Sequence, residues 1–410
     1  MASEQEFEHY CGIDIGTDKV RCVIGRAPEK PGDLPRILGC GSAKSYGMRR
    51  GTVVDTVAVA QSIDAALAEA EKVSGVSVDG ATFSINGQSV KTHSSKGAVA
   101  IAEGDHVSHD DMDKAVNAAS IVQLPNNQRV LEIISGGYSV DGQENTQDPT
   151  GMVGNRLEVE AIVISTSEIH LKNLEKAITT ANINCNGIQP AVRAAAEATL
   201  TREQRERGVI FVDIGAQTTS LAVYEEMEMK KIAVVAMGSS NITNDLAIGL
   251  RVEVDLAEKI KLEYAEVGSK VEASKVIEVE WENEIHKFKA RDIDLIASAR
   301  LEEIFEKLAK ELKKMGQHSR LPGGIILSGA GSAIKGTEEV ARDILKLPSK
   351  RAEVSTYETA TGDVLSTEWS SAVGLMLFDD KSFHDSNRGG HKFLDQIFDR
   401  AKSLVFKHKK

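Results

Sequence analysis

The chain has 410 residues, of which 41% are apolar and 27% charged, and its net charge is -12. This length and composition predict two or three globular domains and argue against a long disordered or fibrous chain. The excess of acid argues against a nucleic-acid groove, which would need clustered lysine and arginine, and no apolar run reaches the roughly 18 residues of a spanning helix.

The termini and the cysteines point to the cytosol. The N-terminal residues MASEQEFEHY lack the basic start and apolar stretch of a signal peptide. Residues 391–410 carry six Lys or Arg and two Asp, a balance of +4 that leaves -16 on the first 390 residues. The cysteines show no CxxC spacing, so we expect reduced thiols; they are Cys11, Cys22, Cys40 and Cys185.

Residues 11–25 (CGIDIGTDKVRCVIG) predict a strand, a glycine turn and a second strand; a third strand and a crossover helix follow at 35–44 and 53–73. The stretch 81–165 has a different pattern of predicted elements. It holds four β-like runs, of which ATFSING is the first, one helix candidate and a polar loop at 141–155. We therefore expect a small α+β insertion with its own core at 81–165.

The rest of the chain repeats the beginning. After two predicted helices, VIFVDIGAQTTSLAVY (209–224) again reads as strand, glycine turn and strand, with Asp213 in the place of Asp14. Residues 241–315 predict a charged helical region, and IILSGAGSAIKG (325–336) a strand that enters a glycine-rich turn. This alternation of strands and helices predicts a duplicated, open α/β sheet.

The two turns that follow the Asp-Ile-Gly motifs, Asp14–Gly16 and Asp213–Gly215, are called the DIG turns, and each has groups that can bind phosphate. Glycine allows close backbone approach, so the turn amides and nearby hydroxyls can donate to phosphate oxygens, while Asp14 and Asp213 would hold Mg²⁺ through water. One such turn alone would more often be a strand end with a satisfied aspartate. Two copies and a third glycine turn at 329–331 favour a clamp for a triphosphate, and the P-loop and the Rossmann glycine pattern are absent from the sequence. The hydroxyls are those of Thr17, Thr218, Thr219 and Ser220.

Three motifs together resemble the actin/Hsp70/sugar-kinase ATPase superfamily. GIDIGTDKVRCVIG resembles its first phosphate loop, FVDIGAQTTSLAVY its second and IILSGAGSAIKG its adenosine loop. Within it the chain resembles the bacterial cell-division FtsA family, in the stretch GSSNITNDLAIGLRVEVDLAEKIKLEY and in an insertion between the two phosphate hairpins. The resemblance implies an actin-like (ribonuclease H-like) duplicated α/β fold with an inserted small α+β subdomain and a C-terminal amphipathic helix.

The resemblance also implies a division of the chain. The segments are 1–80 (first part of subdomain 1A), 81–165 (the insertion), 166–206 (rest of 1A), 207–238 (first part of subdomain 2A), 239–315 (subdomain 2B), 316–378 (rest of 2A), 379–392 (linker) and 393–410 (membrane-targeting helix).

An ATP and Mg²⁺ site follows from the same resemblance. Asp14 and Asp213 would be the metal-side carboxylates and Gln189 a water-orienting catalytic side chain. Glu258 and Lys261 lie three apart on one helix face and would reach the ribose and adenine; the alternative is a solvated ion pair. The remaining nucleotide contacts would be Gly16, Thr17, Lys19, Gly215, Ala216, Gln217, Thr218, Thr219, Gly238, Gly329, Gly331 and Ser332.

The second phosphate loop departs from the family pattern. Ala216 and Gln217 stand where two glycines are usual, and Ser220 where an acid is usual. The added Cβ atoms would crowd the backbone approach to the γ-phosphate, and the lost carboxylate removes a candidate acid. We therefore expect ATP binding in the micromolar range with slow or undetectable hydrolysis.

The C-terminal stretch predicts an amphipathic helix, since its apolar residues recur along one face of a 3.6-residue helix. Flanking lysines suit a helix that lies in anionic headgroups; packing on the protein body is the alternative. The predicted membrane-contacting residues are Phe393, Leu394, Ile397, Phe398, Leu404, Val405, Phe406 and Lys407.

The resemblance implies an adaptor that polymerises with itself on the cytoplasmic face of the membrane at the division site. It would bind the C-terminal tail of the tubulin-like protein FtsZ through Lys289, Arg291 and Arg300, and downstream division proteins through the insertion. A pilus-assembly adaptor of the same subfamily is the nearest alternative, and it would lack the terminal helix. A kinase or a chaperone of this fold fits the sequence less well, because neither the aspartate motif of a sugar pocket nor a substrate domain is recognisable.

Overall fold

The computed structural model describes residues 8–28, 33–101, 106–122, 124–146, 148–268, 274–315, 321–354, 357–360 and 366–380. The described residues within Met1–Lys91 and Ser167–Asp379 form one compact unit, and those within Thr92–Thr166 form most of a second. No helix in these ranges is long and apolar enough to cross a bilayer.

The first unit begins with an antiparallel hairpin that leads into a third strand and a helix. The helix is capped by Asp55, whose carboxylate accepts from the amides of Val57 and Ala58, and it ends at Gly75 in the left-handed conformation. The elements are β1 (His9–Ile15), β2 (Lys19–Arg26), β3 (Arg36–Lys44), β4 (Met48–Arg49), β5 (Thr52–Val53), α1 (Thr56–Ser74) and β6 (Gly80–Ile85).

The second unit is a four-stranded sheet with one helix. A core of buried residues, among them Met112, Tyr138 and Leu157, joins the helix to the sheet, and Ser108 and Asp111 form a capping box at the start of the helix. The strand order is β7-β10-β8-β9. The elements are β7 (Lys91–Ala100), α2 (His109–Ser120), β8 (Gln128–Val140), β9 (Gln143–Thr146) and β10 (Arg156–Ser167).

The chain then returns to the first unit. α3 (Glu168–Thr180) is followed by β11 (Asn184–Pro190), which completes a five-stranded sheet in the order β11-β6-β1-β2-β3. α4 (Ala191–Thr199) and α5 (Arg202–Arg207) lead into the second half of the unit.

The second half repeats this topology. Its sheet has the order β14-β13-β12-β17-β18, so in each sheet three antiparallel strands are followed by two parallel ones. The predicted duplication is confirmed. The elements are β12 (Val209–Ile214), β13 (Thr219–Glu225), β14 (Glu228–Val235), α6 (Ser239–Leu250), α7 (Val254–Tyr264), β15 (Val276–Trp281), β16 (Glu284–Lys289), α8 (Ala290–Lys313), β17 (Ile325–Ser328), α9 (Thr337–Leu345), β18 (Ser349–Arg351) and α10 (Ser370–Asp379).

Helix α10 is buried along nearly its whole length and packs on α4 and β1. Two glycines allow this: a Cβ on Gly374 would lie 1.8 Å from the carbonyl oxygen of Ala194, and one on Gly12 would lie 2.2 Å from the amide nitrogen of Met376. At the end of α10, Asp379 accepts hydrogen bonds from β1, β6 and β11. The predicted linker start at 379 therefore falls on a residue that is held in the fold.

Three predicted elements need correction. Residues 81–85 do not belong to the insertion, because they lie in β6, which pairs in parallel with β1 and β11, and the second unit begins at Thr92. The predicted helical region 241–315 contains the β15–β16 hairpin, and β9 lies in the predicted loop 141–155. The finer boundaries within 207–378 stay predictions, since one hydrophobic cluster runs through that stretch.

The buried His170 predicts a pH-dependent stability. Burial lowers the pKa of His170 from 6.5 to about 4, although a hydrogen bond to the backbone of Gly51 opposes the shift. The unfolded chain takes up this proton near pH 6.5 and the folded chain only near pH 4, so the free energy of unfolding falls as the pH drops through that window. The loss amounts to up to about 3 kcal/mol.

Urea unfolding at about pH 7.5 and about pH 5 measures this loss. His170→Gln should reduce the difference between the two pH values, whereas His109→Gln, at an exposed position on α2, should leave it as in the parent. An unchanged pH dependence in His170→Gln would contradict the assignment.

Candidate functional site

The two DIG turns have the same local geometry. The amide of Gly16 donates to the carbonyl of Lys19 at 3.1 Å, and the amide of Gly215 donates to the carbonyl of Thr218 at 2.9 Å. A Cβ on Gly16 would lie 2.6 Å from the Lys19 oxygen, and one on Gly215 would lie 3.0 Å from the Thr218 oxygen. The first turn is therefore too tight for a side chain and the second leaves little room for one, and both glycines line the cleft.

Asp14 and Asp213 lie near the ends of β1 and β12 and line the same cleft. Burial raises the pKa of both carboxyls, to about 7 for Asp213, where the charge of Asp14 adds to the effect. The hydroxyl of Ser84 and the guanidinium of Arg21 lower the pKa of Asp14. Two acids that oppose each other's ionisation in one site create a place for a cation.

Arg21 is a cleft residue that the sequence analysis missed. It lies directly opposite Asp14 in the β1–β2 register, donates to Glu368, and its guanidinium carbon lies 5.7 Å from the ring centroid of Trp369. The sequence does indicate a place for Arg21 in the cleft, because Arg21 follows Lys19 by two residues and therefore lies on the same face of β2. The Asp–Arg pairing itself requires the strand register, which the sequence does not state.

Lysines add positive charge at the mouth of the cleft. Lys19 and Lys44 are directly opposite each other in the β2–β3 register, both are exposed, and both line the cleft. Like charges in this position repel unless an anion lies between them. The arrangement therefore suits a phosphate group.

The opposite wall is built by α6 and α7. The Nζ of Lys261 donates to the Oε2 of Glu258 at 2.7 Å and to the Oγ1 of Thr243 at 3.0 Å. Lys261 is only 5% exposed, whereas the side chain of Glu258 is 42% exposed. The pair is therefore not a solvated surface ion pair, and it fixes a carboxylate at the cleft.

The third glycine turn approaches the second DIG strand. Gly329 has a φ of +80°, and a Cβ there would lie 2.5 Å from the Oδ1 of Asp213. A Cβ on Gly331 would lie 2.4 Å from the Cγ2 of Ile214. A side chain at either position would displace the end of β12 and, at 329, the carboxylate itself.

These elements surround one cleft of about 1050 Å³, a volume in the range of ligand sites. It brings together most of the predicted nucleotide residues. Those that line it are Asp14, Gly16, Thr17, Lys19, Asp213, Gly215, Ala216, Thr218, Glu258, Lys261, Gly329 and Gly331.

Gln189, the predicted water-orienting residue, is not among the residues that line the cleft. It is 7% exposed, and its side-chain oxygen accepts from Arg193 at 2.9 Å. The guanidinium carbon of Arg193 lies 4.8 Å from the ring centroid of Phe378. The amide of Gln189 is thus engaged within the fold, and its role in orienting a water stays a prediction.

Three further predicted residues serve the fold and do not line the cleft. The hydroxyl of Thr219 donates to the carbonyl of Met237 at 2.9 Å, and that of Ser332 donates to a carbonyl of its own turn at 2.7 Å. Gly238 packs so closely that a Cβ would lie 2.4 Å from the carbonyl oxygen of Gly215. These contacts shape the turns, and the predicted nucleotide contacts of the three residues stay predictions.

Gln217 and Ser220 also lie off the cleft lining. The Oε1 of Gln217 accepts from the amide of Arg50 at 2.9 Å, and the hydroxyl of Ser220 donates to the Oδ1 of Asn86 at 3.1 Å. Of the three departures in this loop, only Ala216 lines the cleft. Crowding at a γ-phosphate stays a prediction, and among these three residues it would involve the methyl group of Ala216.

The predicted partner residues lie on or next to α8. Lys289 and Arg291 are exposed, but Arg300 donates to Asp245 at 2.5 and 3.0 Å and to Glu303 at 2.5 Å. The basic position predicted to be the best is thus already neutralised by two acids. The residues predicted to contact the membrane lie outside the described residues; they are Phe393, Leu394, Ile397, Phe398, Leu404, Val405, Phe406 and Lys407.

The donor set fits Mg²⁺ held through water. Among the described residues, no group of three or more His, Cys, Asp and Glu could enclose a metal ion. Mg²⁺ keeps several waters and is usually bound by one or two carboxylates together with substrate phosphates. Asp14 and Asp213 would supply the carboxylates of such a site.

Comparison with known proteins agrees with this architecture. The family profile described as "Cell division protein FtsA" matches residues 210–374, and that described as "SHS2 domain inserted in FTSA" matches residues 87–165. The cell division protein FtsA of Pseudomonas aeruginosa is 31% identical over 382 residues, which are 92% of this chain and 91% of that protein. That of Bacillus subtilis is 32% identical over 344 residues, 83% and 77% of the two chains.

Solved structures share the fold at low identity. The PilM-PilN type IV pilus biogenesis complex aligns with a TM-score of 0.65 at 17% identity, over 90% of this chain and 98% of that chain. MreB5 of Spiroplasma citri bound to ADP aligns with a TM-score of 0.56 at 11% identity, over 92% and 98%.

The duplicated sheets, the cleft and these comparisons define an actin-like α/β protein with an inserted SHS2 domain. The chain belongs to the FtsA family of cell-division proteins.

Proposed function

We propose that this cell-division protein binds Mg·ATP in the cleft and, on the cytoplasmic face of the membrane, tethers FtsZ filaments to the bilayer. The observation that carries the nucleotide part is that Asp14 and Asp213, from duplicated hairpins, line one cleft whose mouth carries Lys19 and Lys44. This combination of paired acids and cations suits a metal-bound polyphosphate.

Each wall would bind a different part of the nucleotide. The amides of the two DIG turns donate to phosphate oxygens, and Asp14 and Asp213 orient waters of the Mg²⁺ shell. When bound, the Mg²⁺ supplies charge neutralisation at the phosphates. The carboxylate of Glu258, fixed by Lys261, accepts from ribose hydroxyls. A solved MreB5 was bound to ADP and another to AMPPNP, which supports a nucleotide in a cleft of this fold.

We expect slow or undetectable hydrolysis. Gln189 is held by Arg193, and Ser220 stands where the family pattern has an acid. Neither residue lines the cleft. The two side chains singled out for hydrolysis therefore do not reach the cleft, and Asp14 and Asp213 are assigned to the metal.

Asp213→Asn tests the nucleotide site. The change keeps the shape of the side chain but removes the charge that orients the metal-bound water, so the affinity for Mg·ATP should fall about tenfold to a hundredfold. Isothermal titration with ATP and Mg²⁺ measures it. In excess EDTA the affinity of the variant should not fall below that of the parent, because Asp213 acts through the metal.

Asp64→Asn is the matched control, since Asp64 lies exposed on α1 away from the cleft. Unchanged Mg·ATP affinity in Asp213→Asn, with the control also unchanged, would refute this site.

The membrane part of the proposal rests on the C-terminal sequence. The apolar face that begins at Phe393 and the +4 balance of residues 391–410 fit a helix in anionic headgroups. The three hydrogen bonds to Asp379 hold the end of α10 to the first sheet. A tail on the membrane would therefore be linked to the core at a fixed point.

The FtsZ part rests on family membership and on surface charge. Lys289 and Arg291 are exposed and lack the acidic partners that occupy Arg300. Both are therefore open to an acidic peptide. Self-association into filaments and binding of downstream division proteins through the SHS2 insertion belong to the same proposal.

Liposome co-sedimentation tests the adaptor. With anionic vesicles and ATP, the full chain should pellet and carry FtsZ with it, and truncation after Asp379 should abolish both effects. Binding should weaken as salt rises, because each lysine near the surface contributes about 1 kcal/mol. Arg291→Glu should reduce the FtsZ in the pellet but leave the chain itself there.

Matched variants separate the apolar face from charge. Ile397→Asp and Gln396→Asp change the net charge equally, but only the first alters the apolar face, so only the first should release the chain. Equal pelleting of the truncated chain would overturn the anchor, and FtsZ that stays in the supernatant with a pelleted full chain would overturn the adaptor.

A further inference from the structure

The tight turn between β4 and β5 has two backbone amides that reach both DIG turns. Arg50 and Gly51 have φ angles of +49° and +74°, which is the pattern of a two-residue type I′ hairpin turn. In such a turn the amides of the two central residues are not used by the hairpin itself. Here one of these amides donates to a residue of the first DIG turn and the other to a residue of the second.

The amide of Gly51 donates to the Oγ1 of Thr17 in the first DIG turn at 3.1 Å. The amide of Arg50 donates to the Oε1 of Gln217 in the second at 2.9 Å. Arg50 is a non-glycine residue in the left-handed region, a conformation that costs about 1 to 2 kcal/mol and persists only where its surroundings hold it. The two hydrogen bonds supply that restraint.

A second bridge lies beside the first. Asn86 follows β6 in the first half; its Oδ1 accepts from the hydroxyl of Ser220 at 3.1 Å, and its Nδ2 donates to the Oγ1 of Thr218 at 3.3 Å. The Oδ1 is also fixed by the amide of Gly87 at 2.8 Å. The side chain of Asn86 is therefore held in place by its own loop while it binds the second half.

We propose that these contacts form a clasp, made of Arg50, Asn86, Gln217, Thr218 and Ser220, that holds the two halves of the cleft together. All of its hydrogen bonds join protein groups, so the stabilisation they give does not depend on a phosphate. Two of its members, Gln217 and Ser220, are the residues that depart from the family pattern in the second phosphate loop. Glycine at 217 could not make the contact with Arg50, because it has no side chain.

The clasp affects the rate at which a bound nucleotide leaves the cleft. The clasp opposes separation of the two loops that flank the cleft, so it slows a release that requires the cleft to open. Gln217 and Ser220 are positioning residues, since they act through the opposite loops and not by touching a ligand. This consequence rests on the proposed nucleotide site, but the clasp itself does not.

The clasp is tested first in the nucleotide-free full chain, prepared with EDTA and apyrase. Site-resolved hydrogen–deuterium exchange reads the amide of Arg50, which should exchange about five to ten times faster in Gln217→Ala, because one hydrogen bond is lost. Gln217→Glu keeps an acceptor oxygen and should restore slow exchange. Gln88→Ala, at an exposed position of the Asn86 loop, is the matched control and should behave as the parent.

The second arm measures the release of a fluorescent ATP analogue after rapid mixing with excess ATP. Gln217→Ala and Ser220→Ala should each release it about three to ten times faster than the parent and Gln88→Ala. Ser220→Ala also keeps the test open if Gln217→Ala does not fold.

The two arms separate the two proposals. Arg50 exchange that is equal in Gln217→Ala, Gln88→Ala and the parent overturns the clasp, whatever the nucleotide does. Faster exchange in a chain that binds no nucleotide supports the clasp and refutes the nucleotide site. Unchanged release from a chain that does bind nucleotide overturns the kinetic consequence.

Discussion

The constraint on which the site depends is the confinement of two carboxylates in one cleft. Duplication of a strand-turn-strand unit brings Asp14 and Asp213 to the same space, and burial together with mutual repulsion raises the pKa of Asp213 to about 7. Arg21 offsets part of this repulsion from its place opposite Asp14. The remaining demand for positive charge explains why the cleft suits a metal-bound polyphosphate. Independently, a side chain at Gly329 would collide with the carboxylate of Asp213.

The identical strand orders of the two sheets follow from the same duplication. Each sheet puts its DIG turn at the end of its central antiparallel pair, and the buried helix α10 packs on α4 through Gly374. The two copies have since diverged at equivalent positions: Arg21 is opposite Asp14, but Ser220 is opposite Asp213. The first copy thus places the guanidinium of Arg21 beside the acids. At the equivalent position of the second copy, the hydroxyl of Ser220 donates to Asn86.

Much of this could be predicted from the sequence, because strong local patterns encode it. The repeated apolar-x-Asp-Ile-Gly motif was enough to predict both hairpins and the duplication. The β15–β16 hairpin was missed although VIEVEW alternates with a period of two, since its charged flanks favoured a helix. β6 was assigned to the insertion because sequence neighbours do not reveal which sheet a strand joins. The hydrogen-bond partner of Thr219 could not be predicted for a related reason: the direction of a side chain depends on partners that lie far away in the chain, here Met237.

The central claim is that the cleft between the duplicated turns binds Mg·ATP. A crystal structure of the full chain with Mg²⁺ and a non-hydrolysable ATP analogue tests it most directly. The account predicts the triphosphate between the turns of Gly16 and Gly215, with the metal's waters on Asp14 and Asp213 and the ribose against Glu258. A nucleotide bound elsewhere, or an empty cleft at saturating ligand, would contradict it.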